Sequence, residues 1–381
     1  MTKSYRRDID SLRAISVLFV IFFHLNLPYF EGGYLGVDIF FVISGFLITK
    51  IILNDISSNS FSVKNFYLRR VRRIIPLVFF VTFVSTIFAN YLFFPDEFID
   101  YLQSLLSVNL FVSNFWYDLK GGYFGPALNN NPLIHFWSLS VEEQFYLFYP
   151  VIIFFFYKKK FINSFSILIL MIIFLSFSLS QFGGNFKFRH PFIENQFDFF
   201  STPSFAFYNT ATRAWEILIG CYAAIHMDDL SKKFSKKKLT VNISFFCLII
   251  SFFLFDENMP HPSFFTFFLI LFTVLILICN ERNSSENKIL NSKFLSYIGL
   301  ISFSLYLWHQ PILIFAKLHN IIELNFSYKF LIFLMLFPLS FFSWKYIERP
   351  FRNKRIINNN HLIVSLCVFV GFFLLFINLT F

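Results

Sequence analysis

The sequence is short of charged residues. Only 14% of its 381 residues are charged, whereas 56% are hydrophobic and phenylalanine alone occurs 64 times. A water-soluble domain of this length needs a far more polar surface, so the composition excludes a soluble globular protein. It predicts a protein that crosses a membrane several times.

Cysteine is rare and shows no pairing pattern. The four cysteines, Cys221, Cys247, Cys279 and Cys367, lie in apolar runs without the spacing of a disulfide framework or a metal site. We interpret them as small buried hydrophobic residues, and we expect no metal and no bound cofactor. The sequence also lacks a cleavage site after its first apolar segment, which is therefore predicted to remain as a signal anchor.

Eleven apolar segments have a length that spans or nearly spans a bilayer. They lie at about 12–29, 34–53, 74–94, 138–157, 161–180, 211–227, 239–255, 263–279, 297–316, 328–347 and 361–380. We predict an all-α polytopic membrane protein with about ten core transmembrane helices and an eleventh C-terminal span.

The net charge of +10 is distributed as a topology signal and not as a surface for nucleic acid. If the N-terminus is cytoplasmic, 24 of the 32 Lys and Arg residues fall in segments predicted to face inward, namely 1–11, 50–73, 158–160, 228–238, 280–296 and 348–360. Five fall in outward-facing segments. This asymmetry follows the positive-inside rule and predicts a cytoplasmic N-terminus.

Two ionisable residues lie in the first apolar segment. Arg13 and His24 are separated by ten residues, which places them within about 20° of the same helix face and about 16 Å apart along the axis. Arg13 alone is explained as an anchor at the cytoplasmic end, paired with Asp10, and His24 alone as a helix-packing residue. Asp38 in the second segment lies at a similar depth on the other side of the turn. We predict that Asp38 hydrogen-bonds His24 and makes it a general base; a purely structural buried pair is the alternative.

An arginine cluster precedes the third segment. Arg69 and Arg72, like Arg70 and Arg73, are i,i+3 neighbours on a helix, and guanidinium groups bind phosphate oxygens bidentately. The alternative is a topology determinant or a contact to anionic lipid.

Further ionisable and aromatic residues cluster in the outer half of later segments, where we predict an acceptor side. They are Glu142, Glu143, Arg213, Glu216, Tyr306 and His309. Structural alternatives exist for several of them, such as an ion pair between Arg213 and Glu216.

Seven stretches together resemble the integral-membrane acyltransferase family 3, the bacterial O-acetylases of lipopolysaccharide, peptidoglycan and other surface glycans. They are "DSLRAISVLFVIFFH", "GGYLGVDIFFVISGFLIT", "FYLRRVRRIIP", "WSLSVEEQFYLFYP", "RAWEILIG", "ISFSLYLWHQPI" and "SWKYIERPFR". The resemblance covers nearly the whole chain in order.

The resemblance implies a multi-pass protein of the bacterial inner membrane that uses cytoplasmic acyl-CoA, most often acetyl-CoA, as donor and a glycan or lipid-linked glycan hydroxyl as acceptor. The arginine–histidine pair of the family falls on Arg13 and His24, and its arginine-x-x-arginine motif on the cluster at 69–73. We expect a transmembrane acyltransferase domain at 1–355 and an additional transmembrane helix at 356–381. One subgroup of the family continues from such a helix into a periplasmic SGNH domain, which is not part of this sequence. Either this form works alone or the sequence is a fragment, and a separate periplasmic SGNH-type protein is one candidate partner.

The residues therefore predict an enzyme in which His24 and Asp38 act on the acyl group and the arginines bind the CoA phosphates. His24 serves either as general base or as transient acyl carrier. The alternatives are a transporter or flippase of lipid-linked glycans and an accessory scaffold of polysaccharide assembly.

Overall fold

The computed structural model describes residues 5–121, 130–182, 203–256, 259–280, 287–318, 325–365, 367–368 and 371, and in these ranges the chain is helical without strands. Up to Arg352, fifteen α-helices follow one another within the described residues. They are α1 (Arg7–His24), α2 (Gly36–Ser57), α3 (Val63–Leu92), α4 (Pro95–Asn109), α5 (Ser113–Leu119), α6 (Phe136–Lys158), α7 (Ile162–Ser180), α8 (Pro203–Tyr208), α9 (Thr210–Ile225), α10 (Met227–Lys232), α11 (Lys237–Leu254), α12 (Phe264–Cys279), α13 (Lys293–Leu318), α14 (Phe326–Ser343) and α15 (Arg349–Arg352). A 3-10 helix at Glu31–Leu35 precedes α2, and a π-helical turn at Trp344–Glu348 precedes α15.

Each of the ten predicted core segments falls on a helix, which confirms the all-α prediction for the described residues. Seven helical stretches among them are long and apolar enough to cross a membrane. They are Glu31–Ser57, Val63–Leu92, Phe136–Lys158, Ile162–Ser180, Lys237–Leu254, Lys293–Leu318 and Phe326–Arg352. The full number of spans and the side on which the N-terminus lies stay predictions, and most of the predicted eleventh segment, 361–380, lies outside the described residues.

Three of the ten predicted core spans, on α1, α9 and α12, are not among these seven, because their helices are either too charged or too short. Helix α1 carries two arginines and two aspartates within its 18 residues. Helices α9 and α12 have 16 residues each, which at 1.5 Å per residue is about 24 Å and shorter than a hydrocarbon core of about 30 Å.

The chain divides into two compact units. The first comprises Met1–Ser60, Asn114–Asn129 and Trp137–Ser302, and the second comprises Phe61–Ser113, Asn130–Phe136 and Phe303–Phe381. Of the candidate residues, Arg13, His24, Asp38, Glu142, Glu143, Arg213 and Glu216 belong to the first unit, and the arginines at 69–73, Tyr306 and His309 belong to the second.

In the first unit, α2 and α9 cross in close contact because each presents a glycine to the other. A Cβ on Gly45 would collide with the carbonyl oxygen of Ile217, and a Cβ on Gly220 would collide with that of Val42. The two helices run parallel, since Asp38 contacts Arg213 near their starts and Lys50 contacts Met227 beyond their crossing.

Helix α6 also runs parallel to α2. Ser44 bonds to Glu142, and five positions further along α2 the hydroxyl of Thr49 lies 2.7 Å from that of Tyr149. Helix α7 runs antiparallel to α9, because its late residue Ser176 bonds to the start of α9 and its early residue Ser166 bonds to His226 after the end of α9.

In the second unit, α13 is fixed against its neighbours by Trp308. The indole Nε1 donates to the hydroxyl of Ser343 at 2.8 Å, and the ring packs edge-on against Phe80 of α3 at 5.9 Å. An apolar cavity of about 600 Å³ lies beside this contact, lined by α3, α13 and α14.

Candidate functional site

His24 is the last residue of α1, and the chain leaves the helix immediately after it. Asn26 adopts a left-handed conformation with φ 50°; its N–H bonds to the Phe23 carbonyl while the N–H of Leu27 bonds to that of Phe22. This pair of bonds is a Schellman motif, and Pro28 prevents the helix from continuing. The predicted span of 12–29 is therefore wrong at its end: His24 lies at the end of its helix and not inside it.

The imidazole of His24 is oriented by its own helix. Its Nδ1 lies 2.8 Å from the carbonyl oxygen of Val20, one turn earlier. A carbonyl only accepts, so Nδ1 carries the hydrogen and the neutral ring has its lone pair on Nε2. That nitrogen is the one with the chemistry of a general base or a nucleophile.

Two glycines fix the turn that follows. Gly33 packs against the backbone of Phe19, and Gly36 packs against the backbone of Ser16, so that a Cβ at either position would collide with α1. The "GGYLG" sequence therefore allows the start of α2 to lie directly on α1. This packing sets the distance between the end of α1 and Asp38 in the first turn of α2.

The carboxylate of Asp38 pairs with an arginine and not with His24. Nη2 of Arg213 donates to Oδ1 of Asp38 at 2.5 Å, and the two side chains are 1% and 0% exposed. Nη1 of Arg213 lies 3.1 Å from Glu216, so that the guanidinium stands between two buried carboxylates and the i,i+3 ion pair with Glu216 is confirmed. The predicted hydrogen bond from His24 to Asp38 is wrong for the described residues. A buried carboxylate needs a compensating charge, which a guanidinium always carries and a neutral imidazole does not.

Three aromatic rings surround the same guanidinium. Its central carbon lies 5.3 Å, 5.4 Å and 5.7 Å from the ring centroids of Phe41, Trp137 and Phe207. Cation–π attraction of this kind strengthens when water is excluded. Arg213 is thus enclosed by aromatic rings and carboxylates in a buried site.

His261, in the loop between α11 and α12, completes the cluster and was not predicted. Its Nε2 lies 3.0 Å from Nη1 of Arg213 and 3.3 Å from Oδ1 of Asp38, while its Nδ1 lies 3.2 Å from the hydroxyl of Thr266. Burial lowers the pKa of His261, against the opposing effect of the Asp38 carboxylate. The neutral ring accepts from Arg213 at Nε2 and donates from Nδ1. No local pattern marks a histidine that is more than two hundred positions from its partner Asp38.

An aromatic path links this cluster to His24. The ring of His261 packs edge-on against Tyr34 at 4.8 Å, Tyr34 against Phe23 at 5.6 Å, and Phe23 against His24 at 4.9 Å. His24 and Asp38 therefore lie in one packed region of the first unit although they do not bond.

Glu142 belongs to a separate polar contact of the same unit. Its Oε2 accepts from the hydroxyl of Ser44 at 2.9 Å and from that of Tyr146 at 2.8 Å. Glu143 follows it on α6 and is half-buried. In the described contacts, Glu142 joins α6 to α2 and is not bonded to the Arg213 cluster.

In the second unit, Tyr306 and His309 meet a histidine that was also not predicted. The rings of His135 and His309 lie 5.0 Å apart, and the ring of Tyr306 lies 5.4 Å and 5.3 Å from them. The Tyr306 hydroxyl donates to the carbonyl of His135 at 2.9 Å, and Nδ1 of His309 donates to the carbonyl of Tyr306 at 2.5 Å. His135 directly precedes α6 within "HFWSLS", so its presence beside a conspicuous motif was the one available signal.

The arginines differ from one another in a way that their spacing does not reveal. Arg72 is buried, and its guanidinium donates to the carbonyls of Phe351 and Ile357 at 3.0 Å and 2.6 Å and to the side chain of Asn359 at 2.7 Å. Arg72 thus holds α15 and the segment after it, and phosphate binding by the pair of Arg69 and Arg72 stays a prediction.

The remaining cations lie nearer to solvent. Arg69 is exposed, whereas Arg70 and Arg73 are half-buried. Arg13 lies 3.6 Å from Asp10 in the i,i+3 pair that the sequence suggested.

A polar cavity of about 580 Å³ lies in the first unit where α2 and α9 approach their ends. It is lined by Lys50, Leu53, Asn54, Ala224, Ile225, Met227, Asp228, Ser231 and Ile278. Lys50 is twelve positions beyond Asp38 on α2, which is about 18 Å along the helix. The α2–α9 pair thus has a buried charge cluster near one end and a cavity with a cation near the other. Among the described residues no group of three or more His, Cys, Asp or Glu side chains is placed to hold a metal ion.

Comparison with known proteins assigns this arrangement to a family. The family described as "Acyltransferase domain" matches residues 6–345 of this chain. Peptidoglycan O-acetyltransferase OatA of Listeria monocytogenes is 32% identical over 370 residues, which cover 94% of this chain and 57% of that protein. O-acetyltransferase OatA of Staphylococcus aureus is 32% identical over 362 residues, covering 92% of this chain and 58% of that protein.

The chain therefore spans less than two thirds of the length of these relatives. No solved structure matches it.

Proposed function

The chain belongs to the acyltransferase domain family, and we propose that it is a membrane O-acetyltransferase that moves an acetyl group from a thioester to a hydroxyl of a cell-surface glycan. The similarity to two proteins named O-acetyltransferases supports this proposal, because it covers more than nine tenths of this chain. Peptidoglycan is the first acceptor to test, since it is the glycan in the name of the Listeria protein.

We propose acetyl-CoA as the donor, bound from the cytoplasmic side of a multi-pass protein in the inner membrane. The predicted inward bias of Lys and Arg supports this orientation. Arg13 and, independently, Arg69, Arg70 and Arg73 are proposed to attract the donor phosphates. Arg72 is left out of this set, because its guanidinium is bonded to carbonyl oxygens.

The observation that carries the proposal is the orientation of His24. Its Nδ1–H is bonded to the Val20 carbonyl, so Nε2 holds the lone pair. In the proposed step, Nε2 takes the proton of the acceptor hydroxyl while the hydroxyl oxygen bonds to the thioester carbon. The carbon–sulfur bond then breaks, and the CoA thiolate takes the proton to leave as a thiol. The proposed role of Asp38 is to hold the Arg213 guanidinium in place, and Asp38 does not act by direct contact with His24.

We also propose that the six residues of the predicted acceptor side contact the acceptor or shape its site. Arg213 and Glu216 form the buried cluster with Asp38. Glu142, Glu143, Tyr306 and His309 are each tested by substitution.

The test uses the purified full chain in proteoliposomes with acetyl-CoA labelled in the acetyl group and a soluble chito-oligosaccharide as the acceptor. Wild type is expected to release CoA thiol and to label the oligosaccharide. His24→Gln is expected to lower the rate about 100-fold or more, the usual contribution of a general base. His226→Gln is the matched control, because His226 is bonded to Ser166 and lies outside the proposed chemistry.

Two outcomes contradict the proposal. A wild-type protein that inserts and folds but neither cleaves acetyl-CoA nor labels glycan is a transporter or a scaffold instead of a transferase. A His24→Gln variant with wild-type turnover removes His24 from the mechanism. A stable acetyl adduct on His24 in the absence of acceptor identifies it as a covalent carrier.

A further inference from the structure

The first unit has two further cavities, one lined in part by the short helix α10 and one lined by residues that follow α10 in the chain. Neither is lined by the arginines predicted to bind the donor. The first is the cavity of Lys50, which includes Met227, Asp228 and Ser231 from α10. The second has a volume of about 630 Å³ and is lined by Ser235, Lys236, Lys237, Lys238, Leu239 and Asn242. Only residues 232–234 separate the two linings in the chain.

The lining of the first cavity combines a cation, an anion and neutral polar side chains with several apolar residues. The ammonium of Lys50 donates to the thioether of Met227 and lies 5.1 Å from the Phe46 ring centroid. Asn54, Asp228 and Ser231 add an amide, a carboxylate and a hydroxyl. A ligand that matches this lining needs N–H donors for the carboxylate and acceptor oxygens for the ammonium along a flexible apolar chain. The pantetheine arm of a thioester donor, with its two amides, has this chemistry.

The second cavity has a different character, because three consecutive lysines line it. Lys236 and Lys238 are exposed and Lys237 is half-buried. Lysine binds phosphate as a compact point charge, and several lysines around one cavity favour a ligand with several phosphate groups. The nucleotide end of CoA carries a diphosphate and a further phosphate. The headgroup of an anionic phospholipid carries the same chemical group once.

We propose that these two cavities form the donor site of the first unit, in which Lys236, Lys237 and Lys238 bind the phosphates and the Lys50 cavity binds the pantetheine arm. The inference rests on the proposed function, because it takes the donor to be acetyl-CoA. Lys50 lies on α2, which carries Asp38 of the buried cluster in its first turn, so one helix joins the proposed arm site to that cluster.

The chain contains a matched control for the lysine triplet. Lys158, Lys159 and Lys160 form a second run of three lysines at the end of α6, and α6 runs parallel to α2. If the lysines act only as a topology signal or attract anionic lipid in general, replacing either triplet should have the same effect. If residues 236–238 form a phosphate site, only the replacement of that triplet should weaken donor binding. Replacing either triplet by glutamine removes the same charge.

The experiment measures the Kd of CoA for the purified protein and the KM of acetyl-CoA in liposomes of neutral phosphatidylcholine. The 236–238 triple glutamine variant is expected to raise both constants about 10-fold or more, whereas the 158–160 triple variant leaves both within about 2-fold of wild type. Lys50→Met is expected to raise the KM of acetyl-CoA and also that of acetyl-pantetheine, which has no phosphates. The 236–238 variant leaves the KM of acetyl-pantetheine unchanged.

Other outcomes overturn the inference. Equal effects of the two triplets indicate a general electrostatic role. An effect of the 236–238 variant that appears only with phosphatidylglycerol in the liposomes assigns the cavity to lipid headgroups. A wild type that binds CoA in this pattern but does not transfer acetyl groups contradicts the proposed function and leaves the site in place. If a triple variant is poorly folded, the single variants Lys237→Gln and Lys159→Gln make the same comparison.

Discussion

Asp38 on α2 and Arg213 on α9 each lie seven positions before a glycine, 38 to 45 and 213 to 220, that packs against the backbone of the other helix. Because the two helices run parallel, this equal spacing brings the carboxylate and the guanidinium to the same level, where Nη2 donates to Oδ1 at 2.5 Å. The close crossing and the buried ion pair are therefore two parts of one arrangement.

Removing one partner of this pair is expected to destabilise the protein strongly. Asp38→Ala leaves the Arg213 charge buried with one carboxylate fewer, at a cost of about 3–5 kcal/mol for breaking a buried pair. The measurement is the melting temperature in detergent. Asp229→Ala provides the control, because its partner Lys232 and Asp229 itself are 76% and 79% exposed. A melting temperature for Asp38→Ala as high as for Asp229→Ala would falsify the buried-pair assignment.

The glycine crossing gives a second prediction. Gly220→Ala places a Cβ against the carbonyl of Val42, so α2 and α9 must separate and the alignment of Asp38 with Arg213 is lost. We expect a lower melting temperature together with a lower rate of acetyl transfer. In Gly371→Ala the new Cβ meets open space, and both properties should stay at the wild-type level. Unchanged transfer in a destabilised Gly220→Ala variant contradicts the link between the crossing and activity.

His261 makes stability depend on pH. Burial lowers its pKa in the folded protein, so the unfolded chain binds a proton more readily and folding is favoured above the unfolded pKa of about 6.5. This contribution is lost as the pH falls below that value. We expect the melting temperature to drop on acidification from pH 7.5 to pH 5.5, and His261→Gln to reduce the drop. The exposed His361→Gln is the control, and a profile for His261→Gln identical to the wild-type profile contradicts the assignment.

Arg72 and Arg69 are expected to behave differently although they share one motif. Arg72→Gln removes bonds to two backbone carbonyls and to Asn359, so it should lower the melting temperature by several degrees. Arg69→Gln should leave stability unchanged, because Arg69 is exposed, and raise the KM of acetyl-CoA if it attracts the donor phosphates. Comparable losses of stability in both variants argue against the role of Arg72 in holding the segment after α15.

Much of the fold could be predicted because long apolar runs and loop charges are local signals. The core segments become helices. The contacts make α2, α6 and α9 parallel and α7 antiparallel to α9, which agrees with the predicted order of crossings. The ends were less accurate: α1 stops at His24, because the left-handed Asn26 and the following Pro28 decide where it ends.

The partners of the candidate residues could not be predicted in the same way. Depth along two helices suggested that Asp38 meets His24, whereas side-chain direction and the need for a counter-charge select Arg213. His261 and His135 come from loops without periodicity, so nothing local connects them with Asp38 or with His309. Spacing also treats Arg69 and Arg72 as equals, although one is exposed and the other is enclosed.

The parallel course of α2 and α6, two of the helices long and apolar enough to cross a membrane, constrains the chain between them. Between two parallel crossings the chain must return an odd number of times, so the stretch from α2 to α6 contains an odd number of passes. The chain after Ser57 and the chain after Lys158 then emerge on the same face of the membrane. A label that reports the sidedness of one of these two positions determines the other, whatever the total number of crossings.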